Sequence, residues 1–332
     1  MAVHCTKSCG HKRSRQQGER DMGLFEKIKE PVFLKRDSSA DEQLAALQAL
    51  RETVPPALQE QIDRDIRALQ AGIAGEKNIL FELENSHLPM FVLRDLNLEF
   101  DGKKAQIDFL LITRRRNYVV ECKNLYGNIE IGSGGDFVRT LSYGGRFQKE
   151  GIYSPITQNQ RHLDLIFELR RAEKSNVLIR SLFEKNFSEN YRSVIVLANP
   201  KTVLNTRYAK REVREIVIRA DQLADYIRRS NAQSNLSSAS NKEMEALARF
   251  FLAQHHPASA DFTAKYRQQQ GESAEPQADP PPSSAAHSPQ LLCPRCGAPM
   301  VRRRATRGPN AGKEFYGCTN YPRCRGIVNI DQ

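Results

Sequence analysis

The chain has 332 residues, enough for one good-sized domain and at least one smaller one, and its 39% hydrophobic and 27% charged content is that of a soluble globular protein. A formal net charge of +11 favours a polyanionic partner, nucleic acid first and an acidic membrane surface second, with simple solubility as the plain alternative. No run approaches the ~18 apolar residues of a membrane span, and the basic N-terminus has no apolar stretch of the secretory kind. The expected location is therefore the reducing cytoplasm, including the nucleoid.

Residues 1–22 carry five Lys or Arg and few apolar side chains, and read as a basic disordered tail; Met22 is a candidate translation start. Residues 23–70 read as a helical N-terminal segment. Its apolar residues recur at three and four through "DEQLAALQALRETV", break at Pro55-Pro56 and resume in "ALQEQIDRDIRALQAGIA". After Gly75 a further helix, "EKNILFELENS", is expected. Strands follow over Phe91–Phe100, Ala105–Thr113 and Asn117–Lys123, then a glycine-rich meander from Gly127 to Lys149. A helix is expected after Pro155, a buried strand over Tyr191–Asn199 and another in "REIVIRA"; helices in "ADQLADYIRRS" and "NKEMEALARFFLAQHH" complete an α/β region reaching residue 256. Residues 257–290 are rich in Pro, Ser, Ala and Gln and read as a disordered linker before a compact module over 291–330.

The stretch "QIDFLLITRRRNYVVECKN" (106–124) holds two apolar runs that each carry a carboxylate, Asp108 and Glu121. A hairpin with an even connection centred on Arg114 and Arg115 pairs Ile112 with Asn117 and so sets Asp108 opposite Glu121. Lys123 then shares the face of Glu121, and Cys122 points to the other face. Opposed, partly buried carboxylates destabilise a sheet unless one is protonated, a lysine offsets a charge, or a divalent cation lies between them. Two such groups supply the hard oxygens that Mg²⁺ takes, alongside water and a substrate phosphate.

Asp108, twelve residues, then Glu121-Cys122-Lys123 resembles the D…(D/E)-x-K signature of the PD-(D/E)xK nuclease superfamily. With "GEKNILFEL", "LPMFVLRDLNLEF", "YVVECKNLYGNIEI" and "EGIYSPITQNQRHL", the text over residues 71–190 resembles the nuclease-related domain, NERD. That resemblance implies a restriction-endonuclease-like α/β fold, a mixed sheet flanked by helices, and metal-assisted hydrolysis of phosphodiester bonds in DNA. It makes Asp108 and Glu121 the Mg²⁺ (or Mn²⁺) ligands and Lys123 the catalytic lysine. Glu76 matches an additional acidic position, although it can equally complement the dipole at a helix start. Gln158 or Gln160 would orient DNA or a water. Ile107 stands where the superfamily pattern has Pro. His162 reads as a satisfied structural histidine. A non-catalytic nucleic-acid-binding protein built on the same fold is the alternative reading.

Near the C-terminus, Cys293, Cys296, Cys318 and Cys324 form a C-x2-C-x21-C-x5-C pattern. Two close pairs joined by a longer segment suit one structural zinc in a closed Cys₄ site. "CPRCGAPMVRRR" and "FYGCTNYPRCRG" resemble the zinc ribbon of type IA DNA topoisomerases, which implies single-stranded DNA as partner. Residues 291–332 hold eight Lys or Arg against Glu314 and Asp331, a net charge of +6. Arg302, Arg303, Arg304, Arg307 and Lys313 are candidate phosphate contacts, Tyr316 and Tyr321 candidate stacking rings, and Phe315 a core residue. "GPNAGK" lacks the spacing and the Ser or Thr of a phosphate-binding loop.

Overall fold

The computed structural model describes residues 28–257, 261–273, 293–296, 298, 300–304, 314–318, 320 and 324–329. The basic tail expected over 1–22 lies outside the described residues, as do 258–260 and 274–290 of the expected linker. The chain divides into two compact units, Met1–Glu272 and Ser273–Gln332.

The larger unit begins with β1 (Val32–Lys35), α1 (Ser39–Arg51) and α2 (Pro56–Glu84), followed by β2 (Met90–Phe100), β3 (Lys103–Thr113) and β4 (Asn117–Lys123). A meander, β5 (Asn128–Ile131), β6 (Phe137–Tyr143) and β7 (Arg146–Ile152), leads to α3 (Pro155–Ala172) and α4 (Val177–Asn190). The unit continues with β8 (Tyr191–Leu197), β9 (Leu204–Asn205), α5 (Arg211–Ile216), β10 (Val217–Arg219), α6 (Leu223–Ala232), α7 (Asn241–Ala253) and α8 (Ala264–Ser273).

Six strands form a mixed sheet in the order β1-β2-β3-β4-β8-β10, and a second sheet runs β7-β6-β5-β9. The β2–β3 turn is Asp101-Gly102, with φ of 48° and 71°, the two-residue left-handed turn that Asp-Gly favours. Helix α3 starts at Pro155 beneath Ser154, whose side chain caps Thr157 N. Leu163, Ile166 and Leu169 of α3 and Met244, Ala248 and Phe251 of α7 cover one face of the large sheet. Ile79, Leu80 and Leu83 of α2 with Leu223 and Ile227 cover the other. The smaller sheet packs Ile129, Ile131 and Phe137 on Ile195 and Leu197 of β8. The fold is thus α/β, with a mixed sheet between helical layers.

Several elements differ from expectation. The helices expected on either side of Gly75 are one helix of 29 residues, because Gly75 is where α2 touches the sheet. A Cβ there would meet Asn124 Cβ at 2.6 Å and Cys122 Sγ at 3.2 Å. Asn78 and Asn124 lock this contact, donating to Ala198 O at 2.9 Å and Ala71 O at 2.6 Å. The segment expected to be helical over 23–70 contributes an edge strand, β1, parallel to β2. "REIVIRA" is a short helix followed by three strand residues. Within the expected linker, α8 packs Tyr266 among Leu47, Val54, Ile62 and Ile66, and Tyr266 and Lys265 both bond Asp65.

Gly75→Ala should lower unfolding stability by about 1–3 kcal/mol through overpacking against rigid neighbours. Gly72→Ala, one turn earlier with nothing within 4 Å of a built Cβ, should instead stabilise α2 by about 0.5–1 kcal/mol. Urea unfolding of the two variants separates these signs.

Candidate active site and metal centre

The β3–β4 register is the one an even connection implies: Ile112 pairs with Asn117, Leu110 with Val119 and Phe109 with Val120. The ladder ends there, one step short of Asp108 and Glu121. Side-chain alternation also breaks at this point. Leu110 and Ile112 lie in the core on the α3 side, yet so do Ala105 and Ile107, which strict alternation would send to the opposite face. In β2 the same break falls between Leu93 and Leu96, at Asp95, whose φ is 49°. Alternation therefore does not set where Asp108 points. Its carboxylate stands in for a ladder acceptor, with Oδ2 taking the Cys122 N–H at 2.7 Å.

Glu121 is 1% exposed. Its Oε1 accepts from Lys123 Nζ at 2.5 Å, and the same ammonium donates to Gln158 Oε1 at 3.0 Å. Its Oε2 is buried with no hydrogen-bond partner among the described residues, and His162 Nδ1, equally unpartnered, lies 3.5 Å away. Gln158 and His162 are four apart on α3 and so project from one side of the helix. Asn159 between them donates to Val119 O and Ser193 Oγ, both at 2.8 Å, which clamps α3 onto β4 and β8.

The electrostatics are those of crowded acids. Burial first, then the charges of Glu121 and Glu76, push Asp108 well above the usual carboxylate range. Burial also raises Glu121 against the pull of Lys123, and burial with the nearby Lys123 lowers His162 to about 4, leaving its imidazole neutral at physiological pH. Burial raises Glu76 as well, although Arg94 Nε bonds its Oε2 at 2.8 Å. Glu76 lies mid-way along α2, so the alternative of a helix-start charge is overturned.

A buried carboxylate oxygen without a donor is costly. Asp108, raised first by burial and then by the charge of Glu121, is a second hard-oxygen donor within electrostatic reach of it. The chemistry of these donors suits Mg²⁺ or Mn²⁺, which Asp108 and Glu121 could hold. Gln160, the alternative to Gln158, bonds Asp164 on the exposed side of α3 instead. His162 is not the satisfied core histidine its apolar neighbours suggest. The signal was its four-residue spacing from Gln158.

In the smaller unit β11 (Met300–Arg304), β12 (Glu314–Cys318) and β13 (Ile327–Asn329) form an antiparallel sheet. The Sγ atoms of Cys293, Cys296, Cys318 and Cys324 all lie within 4.8 Å of one another, with Cys293–Cys324 at 3.7 Å and Cys296–Cys318 at 3.4 Å. Zn–S bonds of ~2.3 Å in a tetrahedron place sulfurs about 3.8 Å apart, so the four thiols could hold one structural zinc. Backbone N–H groups of Arg295 and Cys296 help to pull the Cys293 thiol down to about 7.

Tyr316, expected to stack on bases, is half-buried and packs against Cys293, Met300 and Cys318; Phe315, expected in the core, is not part of that cluster. Arg303 is exposed on β11. Arg302 and Arg304 lie on the same strand, whereas Arg307, Lys313 and Tyr321 lie outside the described residues.

The family model of the nuclease-related domain matches residues 71–198. The chain carries a nuclease-related domain. Every residue of the acidic cluster, from Glu76 to His162, falls inside the match. A second model, the topoisomerase DNA-binding C4 zinc finger, matches residues 290–332 and includes all four cysteines. Together the nuclease-related domain and the zinc finger tie the protein to nucleic acid. A search of curated proteins and a search of solved structures each returned no match. Among the described residues no helix is long and apolar enough to cross a membrane.

The raised Asp108 favours the fold when protonated, a contribution complete below about pH 4 and lost as pH rises through the raised value. Asp108→Asn keeps an acceptor for Cys122 N–H without the charge. In metal-free buffer the variant should melt several degrees above the parent at about pH 8 and level with it near pH 4. Equal melting at the higher pH would show that Asp108 is not under strain.

In the zinc finger, a methyl on Gly326 would overlap Cys293 Sγ. Gly326→Ala should therefore release zinc at roughly tenfold lower chelator concentration than the parent, read with a colorimetric zinc indicator.

Proposed function

We propose that the protein is a metal-dependent nuclease hydrolysing phosphodiester bonds in DNA, with Mg²⁺ or Mn²⁺ held by Asp108 and Glu121. The observation that carries this reading is Glu121 Oε2, a buried carboxylate oxygen left without a donor among the described residues, with the raised Asp108 in its electrostatic reach, inside a nuclease-related domain. A bound divalent ion would lower the pKa of a water and offset charge on the phosphate under attack.

The remaining roles belong to the chain. Lys123 Nζ, tethered to Glu121 and Gln158, is a positioned ammonium able to stabilise charge that develops on a phosphate oxygen. Gln158 holds that ammonium in place. His162, neutral and buried, backs Glu121 and keeps water from its inner side. Glu76, held by Arg94, adds a further negative charge that acts on Asp108 and favours a cation there. The zinc finger supplies a second contact, to single-stranded DNA, through Arg303 and its neighbours. Covalent linkage to the nuclease-related domain makes that contact intramolecular and raises the local substrate concentration.

Cleavage of plasmid and of single-stranded DNA with Mg²⁺ or Mn²⁺ tests this. The parent should cut, whereas Asp108→Ala and Lys123→Met should lose roughly a hundredfold or more in rate with DNA affinity retained. A chain ending at residue 290 should bind single strands more weakly and with a flatter salt dependence. A parent that binds but never cuts would leave a non-catalytic binding protein.

A further inference from the structure

A cleft of about 940 Å³ flanks the outer edge of the large sheet, and none of Asp108, Glu121, Lys123 or Gln158 lines it. It exists because β10 pairs with β8 only at Ile195–Leu197. The outer edge of Arg192 and Ser193 is left without a strand partner and forms part of the wall, with α5, α6 and the start of β4 around it.

Five arginines line this cleft: Arg116, Arg192, Arg214, Arg219 and Arg229. The one carboxylate in the lining, Glu215, bonds Arg211 at 2.7 Å. Arg219 bonds Asp221 and the Thr202 carbonyl. Arg116 and Arg192 share a single acid, Glu189, at 2.7 Å and 3.0 Å. Arg116 Nη1 also donates to the Ser230 carbonyl and, at 3.0 Å, to Ser230 Oγ, which still leaves two positive charges against one carboxylate. Arg116, with a side chain 7% exposed, keeps a buried Nε without any hydrogen-bond partner, and so does Arg192. Arg214 and Arg229 have no side-chain hydrogen bond or ion pair among the described residues.

Guanidinium groups gathered in a concave, partly desolvated wall repel one another. An anion with several oxygens, reached by the outer nitrogens, relieves that repulsion. A terminal phosphate suits better than a carboxylate, since it brings up to two negative charges and three free oxygens to forked donors.

We propose that this cleft binds the terminal phosphate of a phosphorylated ligand, carried either by a free nucleotide or by the 5′-phosphorylated end of a nucleic-acid strand. Arg116 and Arg192, held by Glu189, form the inner donors, and Arg214 and Arg229 close on the phosphate from the rim. The site shares no residue with the acidic cluster and stands whether or not the protein cleaves DNA.

The test is calorimetric titration of the full-length protein, without added divalent metal. The ligands are ADP and one short oligonucleotide in 5′-phosphorylated and 5′-hydroxyl forms. Saturable ADP binding identifies the free nucleotide as the source. A preference of roughly tenfold for the phosphorylated strand identifies the strand end, since any contact of the zinc finger is common to both forms. In either case Arg214→Ala with Arg229→Ala should weaken the phosphate-dependent binding roughly tenfold or more, with the melting temperature unchanged. Both side chains are exposed; should the pair nonetheless melt early, Arg229→Gln alone is the comparison. Absence of ADP binding together with no phosphate preference, or binding indifferent to these substitutions, overturns the assignment.

Discussion

One buried carboxylate governs the larger unit. Glu121 sits where β4 leaves its ladder with β3, and the surrounding elements are arranged around its charge. Lys123, itself tied to Gln158, donates to one of its oxygens, Asn159 clamps α3 so that His162 abuts the other, and Asp108, raised first by burial, is raised further by its charge. A core could not tolerate this grouping for stability's sake, because apolar residues of equal size would serve better. Such a concentration of unmet charge at one end of a strand is the physical ground for the proposed active site.

The scaffold that holds the charge is built from ordinary packing. Helix α2 approaches the sheet to within backbone distance at Gly75, which brings the charge of Glu76 to bear on Asp108, while α3 brings Gln158 to Lys123 and His162 to Glu121. The acidic cluster is therefore gripped from both layers of the fold. The smaller unit works by a different principle: its apolar cluster is tiny, and a metal joining four thiols would supply the cohesion that the core lacks.

Much of this was legible in the chain itself. Long apolar runs bounded by turn residues marked β2, β3 and β4, and the even connection set their register. The cysteine spacing marked the metal-ligating set. Other features resist such reading for physical reasons. An isolated glycine weakens a helix without ending it, so Gly75 could be recognised as a contact point only from what faces it. Strand β1 has four residues, and its partner β2 begins more than fifty positions later, a pairing with no local trace. The break at Asp95 and Asp108 defeats reasoning by alternation, which assumes that a strand never changes face. His162 looked satisfied because its neighbours in sequence are apolar; the group that matters to it, Glu121, comes from β4. The arginines of the outer cleft are scattered from 116 to 229 and form no motif.

The large sheet is bounded by two very short strands, β1 with four residues and β10 with three. Pro31 precedes the first, and Arg219 closes the second. Open strand margins invite pairing with a neighbouring chain, and brevity, proline and fixed charge are the usual deterrents. Where β8 lies bare beyond the reach of β10, it presents Arg192, so a second molecule offering a strand would meet positive charge there. The gap that creates a concave wall in this protein thus carries its own safeguard against intermolecular sheet growth.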